Sequence, residues 1–458
     1  MNRTSFSTLP LSESMLHNLN DLGLKEMTPV QAQSLPQILK GHDLIVQAKT
    51  GSGKTAAFGI GMLSRLNEKK FRVQSLILCP TRELADQVAK ELRRLARLTD
   101  NIKILTLSGG MPFGPQQGSL RHGAHIIVGT PGRILKHLEK HSLSLNALES
   151  LVLDEADRML DMGFIEDISK IISRTPKKRQ TLLFSATYPE EIIELSSSIQ
   201  KNALHIETIS SEGANRITEY FYEVSPDDKL STLIKLLTHH KPKNVIIFSN
   251  TKVETRAISR ELQKRGANAL ALHGDLEQYQ RSDVLVQFSN RSCSILVATD
   301  VAARGLDIKE LGMVVNYDIP HDGETYTHRI GRTGRAGEKG VAATLFTPAE
   351  AMTADNYNNS VRRFENSNTL TGNDLSTLIP KNLTLVIEGG KRDKMRPGDI
   401  LGALTGDAGI AGKEVGKIDI YDRQSYVAIS HNMVDKVYSR LKRGKIKGRK
   451  FSVWILNR

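Results

Sequence analysis

The sequence predicts an α/β fold, with two tandem parallel-sheet domains followed by a small α+β domain. Three observations lead there. Short, continuously apolar runs alternate with helical-period segments, the pattern stops at a polar stretch and then restarts, and a basic tail follows in a different element order. Runs that are apolar at every position suit strands buried on both faces, as in a parallel sheet wrapped by helices.

In the first half the runs are Asp43–Ala48, Ser75–Pro80, Ile102–Leu107, His125–Thr130, Leu151–Asp154 and Thr181–Ser185. The polar stretch Ile209–Asn215 interrupts them. The second set is Val245–Ser249, Ala269–Leu272, Ser294–Thr299, Met313–Asp318 and Ala342–Phe346. A second polar stretch, Glu365–Leu375, precedes the tail, where Leu383–Ile387, Gly416–Ile420, Ser425–Ile429 and Phe451–Leu456 read as strands. Helices expected over Arg396–Leu404 and Asn432–Leu441 give the tail a βαββαβ order. The expected organisation is a first domain over 1–208, a linker over 209–215, a second domain over 216–364, a linker over 365–380 and a basic domain over 381–458.

The net charge of +13 over 458 residues calls for an anionic partner. From Lys381 to Arg458 there are 17 Lys or Arg against 8 Asp or Glu, so +9 of that charge sits in the tail. Two cysteines far apart, Cys79 and Cys293, give no disulfide framework and fit a reducing compartment. The start has no apolar run of the secretory kind, and no stretch approaches the ~20 apolar residues of a membrane span. The expected location is cytoplasmic.

Ala48-Lys49-Thr50-Gly51-Ser52-Gly53-Lys54-Thr55 follows an apolar run and leads into a helical segment. Glycines there let backbone N–H groups curl round phosphate, and the helix N-terminus adds its dipole. Lys54 is placed to reach the β- and γ-phosphates of ATP, and the Thr55 hydroxyl to help hold Mg²⁺. Asp154-Glu155-Ala156-Asp157 ends another apolar run. Acids at a strand's C-terminal end lie where α/β folds bind ligands. Asp154 is positioned as the Mg²⁺ carboxylate, and Glu155 as the group that orients and deprotonates water.

With these two motifs in order, the sequence resembles the DEAD-box RNA helicases across both α/β domains. The resemblance implies RecA-like domains and RNA-stimulated ATP hydrolysis. Phe6 and Gly23–Gln31 (GLKEMTPVQ) look like the family's adenine-recognising segment, in which Gln31 reads the adenine edge and Phe6 stacks on the ring. Pro80–Ala85 (PTRELA), Gly109-Gly110 and Thr130–Arg133 (TPGR) look like RNA-contacting motifs. They supply Thr81, Arg82, Gly110, Thr130 and Arg133, whose hydroxyls, cations and exposed N–H groups suit phosphate oxygens. Ser185-Ala186-Thr187 matches the segment that links hydrolysis to strand separation.

In the second domain Phe248–Thr251 (FSNT), His273-Gly274-Asp275 with Gln278 and Arg281, Thr299–Asp307 and His328–Gly337 (HRIGRTGRAG) follow in family order. The resemblance implies that Thr251, Gln278 and Thr299 contact RNA phosphates and that Asp307 approaches the ATP ribose. It makes Arg332 and Arg335 arginine fingers on the γ-phosphate, and His328 a coupling residue. Local unwinding of short duplexes is expected, with a nucleotide-regulated RNA clamp or chaperone as the alternative.

The tail's βαββαβ order is that of RNA-recognition motifs, yet its third strand carries Tyr426 without the flanking aromatics. Lys442–Lys450 (KRGKIKGRK) has six basic residues in nine, which points to phosphate contact by Lys445, Lys447, Arg449 and Lys450. Gly389–Leu404 and Gly444–Lys447 resemble the tail of the bacterial DbpA subfamily. That resemblance implies a 23S rRNA hairpin as target, and large ribosomal subunit precursors as partners.

Overall fold

The computed structural model describes residues 4–48, 51–99, 101–208, 217–303, 311–334, 340–357, 362–375, 378–407 and 409–456. The chain divides into two compact units, 1–211 with 305–307 and 212–304 with 308–458.

The first unit holds β1 (Leu44–Gln47), β2 (Ser75–Leu78), β3 (Ile104–Leu107), β4 (Ile126–Gly129), β5 (Ser150–Asp154), β6 (Gln180–Ser185) and β7 (Leu204–Glu207). They form one parallel sheet in the order β3-β4-β2-β5-β6-β1-β7. Side chains alternate between its faces, as the period of a strand requires. Val46, Ile77, Val128, Val152 and Phe184 pack with the helices Pro29–Lys40, Lys54–Arg65 and Arg82–Leu95. Leu76, Leu78, Ile127, Leu151 and Leu183 pack with Pro131–Glu139 and Ile165–Ile172. Both faces are covered, which is why the runs are apolar at every position.

The second unit begins with β8 (Ile217–Glu223), β9 (Val245–Phe248), β10 (Ala269–Leu272), β11 (Ile295–Ala298), β12 (Met313–Asn316), β13 (Gly340–Phe346) and β14 (Arg362–Glu365). Their parallel order, β10-β11-β9-β12-β13-β8-β14, repeats that of the first sheet strand for strand, outer strands included. The expected linker over 365–380 needs correction. Leu370, Leu375 and Leu378 are buried in the second sheet's core, so much of this stretch is packed chain. The linker expected over 209–215 lies outside the described residues.

The tail forms β15 (Asn382–Ile387), the helix Pro397–Gly402, β16 (Val415–Ile420), β17 (Ser425–Ser430), the helix Val434–Arg443 and β18 (Val453–Ile455). This is the expected βαββαβ order, in an antiparallel sheet β16-β17-β15-β18. One face packs Leu385, Ile387, Val427 and Ile429 on the tail's own helices. The other face lies on the helix Gln278–Ser289 of the second sheet. Val386 and Tyr426 cover Val286, the Tyr426 hydroxyl donates to Asp283 (2.8 Å), and the Thr384 hydroxyl donates to Ser292 (2.7 Å). The face on which RNA-recognition motifs usually stack bases is therefore closed by protein. Cys79 and Cys293 are buried free thiols, and no helix among the described residues is long and apolar enough to cross a membrane.

Candidate functional site

Sheet order divides the C-terminal edge of the first unit into two zones. β5, β6 and β1 are neighbours, and they end in the acids, in Ser185 and in the phosphate loop. β3, β4 and β2 are neighbours too, and they end in Gly109-Gly110, Thr130 and Thr81.

In the first zone Gly53 has φ 93°, and a Cβ there would stand 2.6 Å from Gln31 Nε2, so the close approach needs glycine. Lys54 is the first residue of its helix, is buried, and donates from Nζ to the carbonyl of Ala48 (2.9 Å). Thr55 follows on the same helix turn and is half-buried, Ser52 stands in the loop before it, and Ala48 closes the strand end. Lys49 and Thr50 lie outside the described residues.

Gln31 is buried, and both ends of its amide are engaged. Its Oε1 accepts from the Thr28 N–H (2.9 Å), and its Nε2 donates to the Gly53 carbonyl (3.1 Å). The Thr28 hydroxyl donates to the Ser52 carbonyl (2.8 Å). Expected to read adenine, Gln31 keeps one Oε1 lone pair and its second Nε2 hydrogen for a base while it braces the phosphate loop. Gln31→Ala should therefore raise the Kd for ADP as well as ATP, by about 5–10-fold for one or two lost hydrogen bonds. Nucleotide titration checks this, and a change confined to base preference would contradict the bracing role. Phe6, expected to stack on the ring, is instead 3% exposed and packs in the first core.

Asp154 and Glu155 are buried, and Asp154 Oδ1 and Glu155 Oε2 have no hydrogen-bond partner. Burial pushes the Asp154 carboxyl up to about 7; Lys54 opposes this and Glu155 adds to it. Such an orphaned acid pair fits a divalent cation, which would compensate the buried charge. Glu155 adopts a left-handed backbone (φ 55°, ψ 56°) between β5 and the next helix, and its Oε2 stands 3.7 Å from Arg158 Nε. A non-glycine residue held in that region marks a constrained turn.

Sequence reading missed the role of Asp157. Its Oδ2 accepts from the N–H groups of Ala186 and Thr187 (both 3.0 Å) and from the Thr187 hydroxyl (3.3 Å). The Asp157 N–H donates to Ser185 Oγ (3.2 Å). The acidic turn and the Ser185–Thr187 segment are thus tied by four hydrogen bonds through one residue.

In the second zone Thr81 caps the helix Arg82–Leu95, its Oγ1 accepting from Leu84 N–H (3.2 Å). Arg82 faces Asp86 at 3.6 Å, with its Nη1 buried and unpartnered. Thr130 begins the helix Pro131–Glu139, and its Oγ1 accepts from Gly109 N–H (3.4 Å), beside Gly110 at φ 72°. Arg133 is also engaged within the protein. Its guanidinium donates to Gln116 Oε1 (3.0 Å) and the Met111 carbonyl (2.8 Å), so it braces the glycine turn from behind.

His137 shares Gln116 Oε1 (3.2 Å) and stacks on Phe113. Burial, then Arg133 and Lys136, lower its pKa to about 4. The unfolded chain protonates near 6.5 and the folded one resists until about 4. Stability must therefore fall as pH drops through that window. His137→Asn should make that loss shallower in denaturant melts between pH 7 and 4, and an unchanged slope would contradict a neutral buried ring.

The second unit repeats the arrangement. β10, β11 and β9 are neighbours, ending in His273–Gln278, Thr299 and Thr251. Thr251 Oγ1 accepts from Glu254 N–H (3.2 Å), Gln278 opens its helix, and Thr299 precedes the helix Asp300–Ala303. Capping threonines accept through oxygen, which leaves the hydroxyl hydrogen for a phosphate oxygen.

Arg329 is a second residue that the sequence did not single out. It donates through Nε and Nη2 to both oxygens of Asp300 (2.7 and 2.6 Å), through Nη2 to Asn250 Oδ1 (2.9 Å) and through Nη1 to the Asp318 carbonyl (2.7 Å). One fully buried guanidinium joins the ends of three strands. His328 lies beside Glu324 (3.9 Å), and Arg332 is buried in the turn that ends their helix. Arg335 and Asp307 lie outside the described residues.

In the tail Lys447 pairs with Asp399 (3.5 Å) and Arg449 with Asp393 (3.4 Å), while Lys445 and Lys450 make no ion pair among the described residues. Exposed pairs of this kind contribute little stability, so both cations can be released to a phosphate.

Residues 28–195 match the DEAD/DEAH box helicase family, 228–337 the helicase conserved C-terminal domain, and 384–455 the DbpA RNA binding domain. The chain is 52% identical over 455 residues to the ATP-dependent RNA helicase DbpA of Escherichia coli, covering 99% of this chain and 100% of that one. It is 44% identical to the DEAD-box ATP-dependent RNA helicase CshA of Bacillus cereus, over 79% of this chain and 69% of that one. Among solved structures, Dbp5 of S. cerevisiae bound to RNA and ADP BeF3 superposes with a TM-score of 0.71 at 30% identity, covering 80% of this chain and 96% of that one. Mss116 bound to ssRNA and UDP-BeF gives 0.71 at 28% identity, covering 79% of each. With these matches and the divided strand edges, the chain belongs to the DEAD-box ATP-dependent RNA helicases, in the DbpA subfamily.

Proposed function

We propose that this chain hydrolyses ATP in response to RNA, opens short duplexes locally, and is directed by its tail to a hairpin of 23S rRNA in precursors of the large ribosomal subunit in the cytoplasm. The observation that carries the enzymatic part is the orphaned acid pair, Asp154 and Glu155, on the same strand edge as Lys54. A nucleotide-regulated clamp would use Asp154 for the cation, but it would have no use for the second buried carboxylate, Glu155, whose Oε2 accepts no hydrogen bond.

The Gly51–Gly53 turn and Lys54 receive the triphosphate. Lys54 exchanges the Ala48 carbonyl for phosphate oxygen. Mg²⁺, held by Asp154 and Thr55, would supply positive charge to the phosphate oxygens. Glu155, whose Oε2 accepts no hydrogen bond, takes the proton of the attacking water. Any shift of the acidic turn reaches Ser185 and Thr187 through Asp157, which gives hydrolysis a mechanical output. By resemblance to the family, Arg332 and Arg335 are the cations assigned to the transition-state charge. On both units Thr81, Thr130, Thr251, Gln278 and Thr299 offer hydroxyls, an amide and helix N-termini to RNA phosphates, contacts that carry no base identity.

Sequence preference then falls to the tail. The tail domain matches a family of RNA-binding domains, its usual stacking face is covered, and its cations run from the end of the helix Val434–Arg443 through the loop that follows it. ATPase assays with the 23S hairpin and with unrelated RNA of equal length test the reading. Hairpin-selective stimulation is expected, and equal stimulation would refute the proposed target. Neutralising Lys445, Lys447, Arg449 and Lys450 together should lower the log–log salt slope by roughly 0.7–0.9 for each lost phosphate contact. An unchanged slope would remove these residues from the RNA surface.

A further inference from the structure

A cavity of about 280 Å³ opens at the opposite, N-terminal edge of the first sheet, far along the strands from the ATP and RNA motifs. Three loops make it, those that enter β2, β5 and β6, and they converge because these strands are neighbours. Lys70 and Arg72 come from the first loop, Asn146 and Glu149 from the second, and Lys178 from the third.

The loops are set rigidly. Buried Gln74 donates from Nε2 to the carbonyls of Asn67 and Lys70 (both 2.8 Å), and its Oε1 accepts from Asn67 N–H (2.9 Å). The fully buried His125 accepts Lys103 N–H on Nδ1 (3.0 Å), so its Nε2–H donates to the Glu68 carbonyl (3.0 Å). Backbone bonds from Glu149 to Gln74 (2.8 Å) and from Gln180 to Glu149 (2.9 Å) join the loops. Arg179 Nη1 donates to the Pro176 carbonyl (2.8 Å) and closes the third turn.

On this frame Lys69, Lys70, Arg72, Lys177 and Lys178 are exposed, and none makes an ion pair among the described residues. The acids in these loops are Glu68 and Glu149, so positive charge prevails. None of the helicase motifs named above falls on these residues. Like charges gathered on pre-organised loops cost repulsion unless an anion offsets it.

We propose that this cavity is a phosphate-binding site that holds the backbone of RNA lying beyond the strand gripped at the motif edge. An RNA reaching it must extend past the length of the sheet, about 17 Å for a five-residue strand. A short RNA that is gripped at the motif edge with no chain to spare therefore does not also fill the cavity. The same chemistry would accept a free polyphosphate, and the experiment separates the two sources.

The full chain carrying Lys70→Gln, Arg72→Gln and Lys178→Gln is compared with the parent on uridine oligomers of about 8 and about 40 nucleotides, at several salt concentrations. Three lost contacts should lower the log–log slope for the long RNA by roughly 2, at about 0.7 each for single strands. The slope for the short RNA, and ATP turnover saturated with it, should match the parent, which also reports correct folding. In a second arm, inorganic pyrophosphate is titrated calorimetrically with the ATP site filled by ADP. Coincident long-RNA slopes with pyrophosphate binding lost in the variant would keep the phosphate site and overturn its assignment to RNA. Coincident slopes and identical pyrophosphate titrations would overturn the proposal entirely.

Discussion

Glu155→Gln is expected to lower saturated, RNA-stimulated ATP turnover by roughly 10²–10⁴-fold, the range that a general base contributes, while ATP and RNA still bind. The amide keeps the volume of the side chain and the left-handed turn that β5 imposes at φ 55°. It loses the carboxylate oxygen, free of hydrogen bonds, that would take a proton from water. Because Asp154 is pushed up to about 7 chiefly by burial, with Glu155 adding to the shift, removing the Glu155 charge should also ease ionisation of Asp154. Nucleotide affinity should therefore hold or rise as turnover falls. If hydrolysis resets the protein for RNA release, the variant should also keep RNA longer once ATP is bound. Single-turnover hydrolysis and RNA dissociation, measured on the same sample, check both. Turnover within about 10-fold of the parent would remove Glu155 from the proton-transfer role, since even the weakest general bases contribute more.

Arg329→Ala should destabilise the second unit by about 3–5 kcal/mol, the usual consequence of stripping one partner from a buried ion pair. The guanidinium is 1% exposed, and its loss leaves Asp300, Asn250 and the Asp318 carbonyl without their common donor. Arg329→Lys should rescue little of this. One ammonium cannot satisfy two carboxylate oxygens, an amide and a carbonyl held in a planar fork. Asn250 precedes Thr251 and Asp300 follows Thr299, so RNA affinity should weaken along with stability. Denaturant melts of the full chain, read on the second unit's transition, measure the first effect, and RNA titration the second. A loss under about 1 kcal/mol would make the pair no more than a surface one.

Several strands escaped the sequence for a common reason. β7 is mostly exposed and β14 reads Arg362-Arg363-Phe364-Glu365, and both are edge strands. These two bury little surface and carry charge, so they lack the apolar runs that marked the central strands and the opposite edges, β3 and β10. β8 alternates polar and apolar residues, and the runs sought were continuous ones. Expectations for Phe6, Gln31 and Arg133 rested on family motifs, and these motifs do not report which hydrogen bonds a side chain makes at home.

The sequence alone determined the two sheets, the phosphate loop, the acids and the order of the RNA-contacting segments. Each of these is a local signal: an apolar run of strand length, a glycine turn before a helix, acids where a run ends. Tertiary structure alone decided that Asp157 ties the acidic turn to Ser185–Thr187 and that Arg329 gathers three strand ends. It also decided that the tail's open face would be closed by Val286 and Asp283. The partners in these contacts stand between 11 and 143 residues apart, most of them 28 or more. Which distant residues meet depends on strand order, and strand order is set by how two faces of a sheet are covered, a property of the whole chain.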